Sequence, residues 1–240
     1  MPGLRTMDTT ELIGRREMAA HKRLNRDELI ATALAVTDAD GLDAVTIRRV
    51  AQQHDVTPMA LYRHFPDKDG LLDAVAESLL ASVELPPPDD RPWYAQLEDV
   101  LAAVLEALVP HPNAAMLLLT RITGSEPGLD LTERVLMHLD AGGMDVQQSA
   151  DSACHVLASL ITLVIGEPGK ASGDSEEQEA AVRTERARLG ALSPRRYPRI
   201  VAAAAPLTAC VSAELYYRRG VQLIVTGLRG LQSVSLPAAG

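Results

Sequence analysis

The chain of 240 residues has little of what several protein classes require. Its only two cysteines, Cys154 and Cys210, lie in apolar helical patterns, so a disulfide scaffold is excluded and we expect small buried core side chains. No charged and then apolar leader opens the chain, so we expect no signal peptide. The richest apolar run, residues 200–211, is interrupted by Pro206 and is too short to cross a bilayer. We therefore predict a soluble, cytoplasmic protein.

The sequence also shows none of the common patterns of enzymes or metal sites. It has no zinc-ligand spacing, phosphate-binding loop or nucleophile elbow. Cys154 and His155 are adjacent, but neighbouring side chains on a helix point in different directions, so a thiolate–imidazole pair is not expected. We predict no metal, no cofactor and no catalysis, with a helical enzyme kept as an alternative.

Composition favours an all-α fold. Hydrophobic residues make up 47% of the chain, and many of them are alanine and leucine. Strand-like alternation is hard to find, whereas apolar residues recur at helical spacing. Aromatic residues are few, with one phenylalanine and one tryptophan, so stacking on flat ligands is not favoured.

The most informative stretch is residues 46–68, which holds two short helical patterns joined by a tight break. Thr46 can cap the first helix with its hydroxyl. The break includes Asp55, a residue type that can adopt the left-handed backbone conformation. Thr57 is placed to cap the second helix, and Pro58 takes its first position. This arrangement predicts a helix-turn-helix whose second helix reads DNA.

The second helix should turn Leu61 and Phe65, four residues apart, into the core. The apolar side chains on its outer side can contact only apolar groups in the major groove, such as a thymine methyl. Arg63 can read guanine or hold a phosphate, and the other outer polar groups are placed for phosphates, which position the protein. The predicted DNA-binding residues are Thr46, Arg48, Thr57, Pro58, Met59, Ala60, Tyr62, Arg63, His64 and Lys68.

The distribution of charge reconciles a formal net charge of −9 with a DNA partner. Residues 1–70 contain 10 basic and 11 acidic residues, whereas the remaining residues contain 13 and 21. The segment 15–26 holds five basic residues and one acid. A near-neutral or basic DNA-facing part on an acidic body would also disfavour loose binding in the wrong orientation.

Residues 25–80 resemble the tetracycline-repressor (TetR/AcrR) family of bacterial regulators. The family pattern Leu-Tyr-x-His-Phe-x-x-Lys-x-x-Leu is present from Leu61 to Leu71, while Asp55 stands where the family usually has glycine. The resemblance implies an all-helical homodimer, with an N-terminal three-helix helix-turn-helix domain followed by a helical ligand-binding and dimerisation domain. It further implies a repressor that leaves its operator DNA when a small molecule binds.

The C-terminal half is similar, more weakly, to the tetracycline-repressor branch, notably over residues 216–231. In that branch two histidines help to hold a magnesium–drug chelate, one just after the fourth helix and one in the sixth-helix region. Neither has a counterpart in residues 82–84 or 114–121 of this chain. We therefore expect an inducer other than tetracycline.

The predicted domains are a flexible basic arm at 1–24, a DNA-binding domain with its connecting helix at 25–85, a ligand-binding and dimerisation domain at 86–231, and a tail at 232–240. The boundary follows three prolines at 86–88, which end the connecting helix. The helical patterns 146–165 and 207–228 are apolar on more than one face and so need a partner on each side. Two such helices from each subunit would form a dimer interface.

A ligand pocket is predicted among the helices between residues 91 and 166. Its candidate lining residues are Trp93, Met116, Arg121, Met137, His138 and His155. For each of them the alternative is a purely structural role, as a packing, core or surface side chain. The scarcity of aromatics favours an aliphatic, methionine-lined pocket for a small apolar ligand. A regulator or activator that binds DNA without any ligand remains the alternative function.

Overall fold

The computed structural model describes residues 25–167, 175–209 and 212–231. Every regular element in these ranges is helical, which confirms the all-α prediction. Packing divides the chain into two compact units between Val75 and Ala76. The predicted arm at 1–24, the predicted tail and Cys210 lie outside the described residues.

The first unit is a small helical core around a helix-turn-helix. Its elements are α1 (Arg26–Asp40), a 3-10 turn (Leu42–Ala44), α2 (Ile47–Gln53), α3 (Pro58–Leu61) and the first part of α4 (Lys68–Ala81). The Asp67 carboxylate accepts a hydrogen bond from the Gly70 N–H at 2.8 Å and so caps the start of α4. The fully buried side chains include Leu29, Val50, Leu61, Phe65, Leu71 and Val75.

The second unit is a larger helical assembly. It contains the end of α4 followed by α5 (Trp93–Leu108), α6 (Pro112–Ala115), α7 (Leu118–Arg121), α8 (Glu126–Ala141), α9 (Val146–Ile165), α10 (Ser175–Gly190), α11 (Pro198–Leu207) and α12 (Ala213–Leu231). The core lies where α5, α8 and α9 pack together, and α12 packs against α5 and α9. Its buried residues include Leu97, Leu101, Leu108, Leu139, Leu160 and Ile161.

Local signals in the sequence fix several of these boundaries. The Asp145 carboxylate accepts from the Gln148 N–H, and the Gln148 side-chain oxygen accepts from the Asp145 N–H, so both halves of a capping box are present at the start of α9. Pro206 is accommodated inside α11, which ends one residue later. Residues 112–121 form two short helices, α6 and α7, because the N–H groups of Leu117 and Leu119 bond three residues back and tighten the chain between them.

More of the helix α9 is exposed to solvent than the sequence pattern predicted. Cys154 is exposed, so the prediction that it is a buried core residue was wrong. It lies to one side of the buried face formed by Val156, Leu160 and Val164. By length and composition α9 would suit a membrane span, a property shared by core helices of soluble proteins, and 33% of its most apolar window is buried within the chain. Much of an apolar helix is therefore uncovered in the single chain.

Candidate DNA-binding surface and ligand cavity

The turn between α2 and α3 adopts the geometry of a helix-turn-helix. The Thr46 hydroxyl accepts a hydrogen bond from the Arg49 N–H at 3.1 Å, so α2 begins at its predicted cap. Asp55 has a φ of 54°, which confirms the left-handed backbone expected at the break. The Val56 N–H then bonds to the Ala51 carbonyl at 3.1 Å and closes the turn.

Contacts from α1 hold the predicted DNA-reading segment, residues 57–65, and the end of α2 in place. Leu61 and Phe65 are fully buried, as predicted, and the Arg26 guanidinium lies 5.4 Å from the centre of the Phe65 ring. The Thr32 hydroxyl donates to the Glu28 carbonyl and therefore accepts from Nε2 of His54, 2.8 Å away. The end of α2 is thus tied to α1 by a hydrogen bond that the sequence pattern did not reveal.

The outer surface of α3 and the following turn carries most of the predicted DNA-binding side chains. Met59 is 71% exposed, Tyr62 and Arg63 are exposed, and Ala60 and His64 are half-buried. Within the described residues the Arg63 side chain has no recorded hydrogen bond or ion pair. A large apolar group and a free guanidinium therefore lie side by side on a surface open to solvent.

The start of α3 differs in one detail from the prediction. Thr57 and Pro58 are exposed and Pro58 occupies the first helical position, but the Thr57 hydroxyl makes no capping hydrogen bond. Its carbonyl instead accepts from the Ala60 N–H at 2.9 Å. The helical part of α3 spans only four residues, which leaves a side-chain cap little to stabilise.

The basic side chains of this unit differ in whether they already bind other groups of the protein. Arg48 is exposed beside Thr46, whereas Arg49 forms an ion pair with Asp40. Lys68, predicted to contact phosphate, is half-buried and its Nζ donates to the Leu42 carbonyl at 3.1 Å. Lys68 therefore joins the start of α4 to the 3-10 turn, and its remaining ammonium hydrogens stay available to an anion.

The second unit contains an apolar cavity of about 110 Å³ at the meeting point of α5, α8 and α9. No charged or aromatic side chain lines it, and its polar groups are two threonine hydroxyls and the Cys154 thiol. The lining residues are Leu101, Val104, Ile122, Thr123, Leu131, Thr132, Val135, Ala153, Cys154, Val156, Leu157 and Leu160. The aliphatic character matches the prediction, but no methionine contributes.

A second cavity of about 310 Å³ lies between the end of α4 and the start of α8. Its walls are the apolar side chains of Leu80, Ala81, Val83, Leu85, Pro127 and Leu131, together with the carboxylate residues Glu126 and Asp130. Leu131 lines both cavities.

The six ligand-site candidates lie elsewhere in the second unit: none of Trp93, Met116, Arg121, Met137, His138 and His155 lines either cavity. Met116, Met137 and His155 are exposed, and the His155 ring lies 2.7 Å from the Asp151 carbonyl. Trp93 is half-buried edge-on to Tyr94.

His138 and Arg121 complete that set. His138 is buried on α8, where burial and then the positive charge of Arg134 lower the pKa of its imidazole, while Asp89 opposes the shift. The Arg121 guanidinium lies 3.3 Å from the Thr120 hydroxyl. Choosing residues by their polar or distinctive type therefore did not find the cavity. In the sequence, its aliphatic lining residues look the same as ordinary core residues.

Gly128 connects the walls of the two cavities. A Cβ at this position would lie 1.7 Å from the Ile122 carbonyl oxygen and 3.1 Å from Cδ1 of Leu80. Ile122 lines the apolar cavity and Leu80 lines the second one. The missing side chain therefore lets α8 come close to the turn at 122–124 and to Leu80 in the last turn of α4 at this one point.

A capped first helix, a left-handed turn and a short second helix with exposed reading groups define a helix-turn-helix DNA-binding protein. Residues 29–75 match the family described as "Bacterial regulatory proteins, tetR family". Residues 85–231 match the family described as "Tetracyclin repressor-like, C-terminal domain". The chain belongs to the TetR family and is a DNA-binding transcriptional regulator.

Individual relatives agree with this assignment. The chain is 28% identical over 219 residues to the tetracycline repressor protein class C of Escherichia coli, covering 88% of this chain and 93% of that protein. It is 25% identical over 205 residues to an HTH-type transcriptional regulator of Saccharopolyspora erythraea, covering 85% and 84%. The structure of Streptomyces coelicolor ActR in complex with actinorhodin is similar, with a TM-score of 0.75, 25% identity and coverage of 88% and 99%.

Proposed function

We propose that the protein is a homodimeric, cytoplasmic repressor that leaves a near-palindromic operator when a small apolar ligand enters the cavity of its second unit. The observation that carries this proposal is the combination of the exposed side chains on the outer surface of α3 in one unit with an uncharged aliphatic cavity in the other. The protein has no catalytic role in this proposal. The similar ActR, solved with actinorhodin, supports a ligand-responsive regulator.

The DNA-reading surface assigns a role to each exposed group. Met59 and Ala60 lie at the start of α3, where a recognition helix meets base edges, and can contact a thymine methyl. Arg63 is free to read a guanine or to hold a phosphate. Tyr62 and His64 contact phosphates, which set the orientation of the helix without reading sequence.

The uncovered faces of α9 and α12 support a dimer. On α9 the exposed side chains of Cys154, Ala158 and Thr162 follow one another at four-residue spacing, so they form one row of small groups. On α12 Leu223 is 76% exposed. A second copy packed on these faces would bury them and place two recognition helices on half-sites about 34–36 Å apart.

The cavity favours a neutral, apolar group of a ligand. A charge placed among aliphatic side chains would lose its hydration without gaining a partner. Ile122, which lines this cavity, packs against Gly128, and Gly128 packs against Leu80 of α4. The helix α4 contributes residues to both units. A ligand that favours one arrangement of these walls shifts the population of DNA-competent states, and DNA weakens ligand binding by the same factor.

Binding of the purified protein to the DNA upstream of its own coding sequence, at several salt concentrations, tests the DNA-binding part. Arg63→Ala should weaken binding, and if Arg63 holds a phosphate the log–log salt slope should fall by roughly two for a dimer. Arg183→Ala, which removes an exposed arginine of α10, is the matched control and should change neither quantity. Equal effects of the two variants, or tight binding without salt dependence, would contradict the proposal.

A screen of apolar compounds for release of that DNA tests the ligand-responsive part. A repressor of the proposed kind is released by at least one compound that also stabilises the free protein against heat. A regulator that needs no ligand would stay bound in the presence of every compound.

A further inference from the structure

The two cavities of the second unit are neighbours divided by one side chain. Leu131 is the one residue common to their linings, with Thr132 and Val135 on the apolar side and Glu126, Pro127 and Asp130 on the other. Leu131 is buried, so its two faces are the walls of the two spaces. The apolar cavity alone, at about 110 Å³, is far below the roughly 300–1,000 Å³ typical of ligand pockets, whereas the two together fall within that range.

The two spaces differ in chemistry. The apolar cavity offers only aliphatic groups, two hydroxyls and a thiol. The second cavity combines an apolar floor with the carboxylates of Glu126 and Asp130, which lie four residues apart and so on the same side of α8. In the part of the chain that the structure describes, neither carboxylate has a recorded hydrogen bond or ion pair. The second cavity therefore carries two carboxylates that form no ion pair with any cation among the described residues.

We infer that the ligand is a cationic amphiphile, with its apolar part in the aliphatic cavity and a protonated amine between Glu126 and Asp130. The molecule passes Leu131, whose side chain moves to join the two spaces. This inference rests on the proposed ligand-responsive function and names the chemical class of the ligand. The inference rests on two neighbouring cavities of different chemistry. An apolar chain is stabilised by burial in the first cavity, and an ammonium group is stabilised by charge-assisted hydrogen bonds to the carboxylates of the second.

This placement gives the charged end of the ligand direct contact with α4. Leu80 and Ala81, in the last turn of α4, are walls of the cavity that holds the ammonium group. Gly128 packs Leu80 against the turn that contains Ile122, a wall of the apolar cavity. Both ends of the ligand therefore act on groups packed around the end of α4.

Three probes with the same alkyl chain separate the contributions: decylamine, decanol and decanoate, each used below its micelle concentration. Binding to the full-length protein without DNA is measured by calorimetry near neutral pH, where the amine is protonated. Decylamine should bind about tenfold more tightly than decanol, as expected for one ammonium shared by two exposed carboxylates, and decanoate should bind most weakly.

The double variant Glu126→Gln, Asp130→Asn should reduce the affinity for decylamine to that for decanol and leave decanol binding unchanged. The matched control is Glu133→Gln, Asp140→Asn, which removes the same charge from exposed positions of α8 that line neither cavity. The control should keep the preference for the amine. Both pairs are exposed, so folding, checked by circular dichroism, should be unaffected.

Equal affinities for amine and alcohol, absence of binding by any probe, or an equal loss in both double variants would overturn the inference. Release of operator DNA is followed separately by fluorescence anisotropy. Selective amine binding that the double variant abolishes, without any DNA release, would uphold the site and contradict the proposed repressor mechanism. DNA release by decanol and decylamine alike, unchanged in the double variant, would uphold the mechanism and contradict the ligand class.

Discussion

A leucine placed in the apolar cavity would occupy the space proposed for the ligand. Ala153 lies on α9, is half-buried and lines this cavity. Ala153→Leu adds three carbon atoms that can enter the empty volume. We expect the variant to be more stable, to bind operator DNA as before and to lose its affinity for apolar ligands.

The size of the stability gain follows from the volume. An apolar cavity costs about 24 cal/mol per Å³, so this one, of about 110 Å³, costs at most about 2.6 kcal/mol. Three newly buried carbons give a similar upper limit of about 2.4 kcal/mol. Restricted leucine rotamers and imperfect fit oppose this by about 1–2 kcal/mol. The net gain should be about 1 kcal/mol, which corresponds to roughly 2–4 °C in Tm.

Thermal unfolding at one fixed protein concentration measures the gain, because the stability of a dimer depends on concentration. Calorimetry with decanol measures ligand affinity, which should fall at least about tenfold when the cavity is filled. Ala102→Leu, at an exposed position of α5, is the control and should change neither quantity. Wild-type affinity for decanol in Ala153→Leu would refute the assignment of this cavity to the ligand.

Three further predictions concern the turn, the caps and the buried histidine. Asp55→Gly should raise the free energy of unfolding by about 0.5–1 kcal/mol, because glycine adopts the φ of 54° without strain. Thr46→Ala should cost about 1 kcal/mol, and Thr57→Ala distinctly less, because only the Thr46 hydroxyl accepts a capping hydrogen bond. The pKa of His138 is lowered from 6.5, so below that pH the unfolded chain binds a proton that the folded chain does not, and stability falls. His138→Gln should therefore flatten the fall in Tm on acidification.

Each of these has a control on the same chain. Asp55→Ala should bring no gain, since alanine has a Cβ that disfavours the left-handed conformation and lacks the short polar side chain with which aspartate tolerates it. Equal costs for the two threonine variants would mean that helix propensity, not the cap, decides the effect. His155→Gln, at an exposed position, should leave the pH dependence as it is. An equally flat profile in that variant would remove the role assigned to the burial of His138.

The helix-turn-helix could be predicted closely from sequence because its determinants are local. A threonine cap, a residue suited to positive φ, a proline at the first helical position and a pair of core residues four apart each act within a few residues. The same reasoning missed the Arg49–Asp40 ion pair and the Lys68 bond to the Leu42 carbonyl. Both join residues from separate elements, so no local pattern distinguishes these two cations from the free Arg63.

The ligand site shows the opposite case. Sequence reasoning chose tryptophan, histidine, arginine and methionine because those residue types often mark pockets, and none of the chosen residues lines either of the two cavities described. The cavity is instead a gap left where α5, α8 and α9 fail to fill the space between them. Its leucines and valines follow the same helical periodicity as the core residues around them, and only the packing of three helices shows which of them face a void.

The sequence by itself therefore determined the all-helical class, the DNA-reading segment and the family, since these depend on spacing and on residue type along one stretch of chain. Only the tertiary structure decided which side chains face empty space, which cations are already paired, and that Leu131 separates an aliphatic cavity from one with two carboxylates. The physical reason is the distance along the sequence over which each determinant acts. Caps and periodicity act over one or two helical turns, whereas a cavity exists only between surfaces that the chain brings together from positions far apart in sequence.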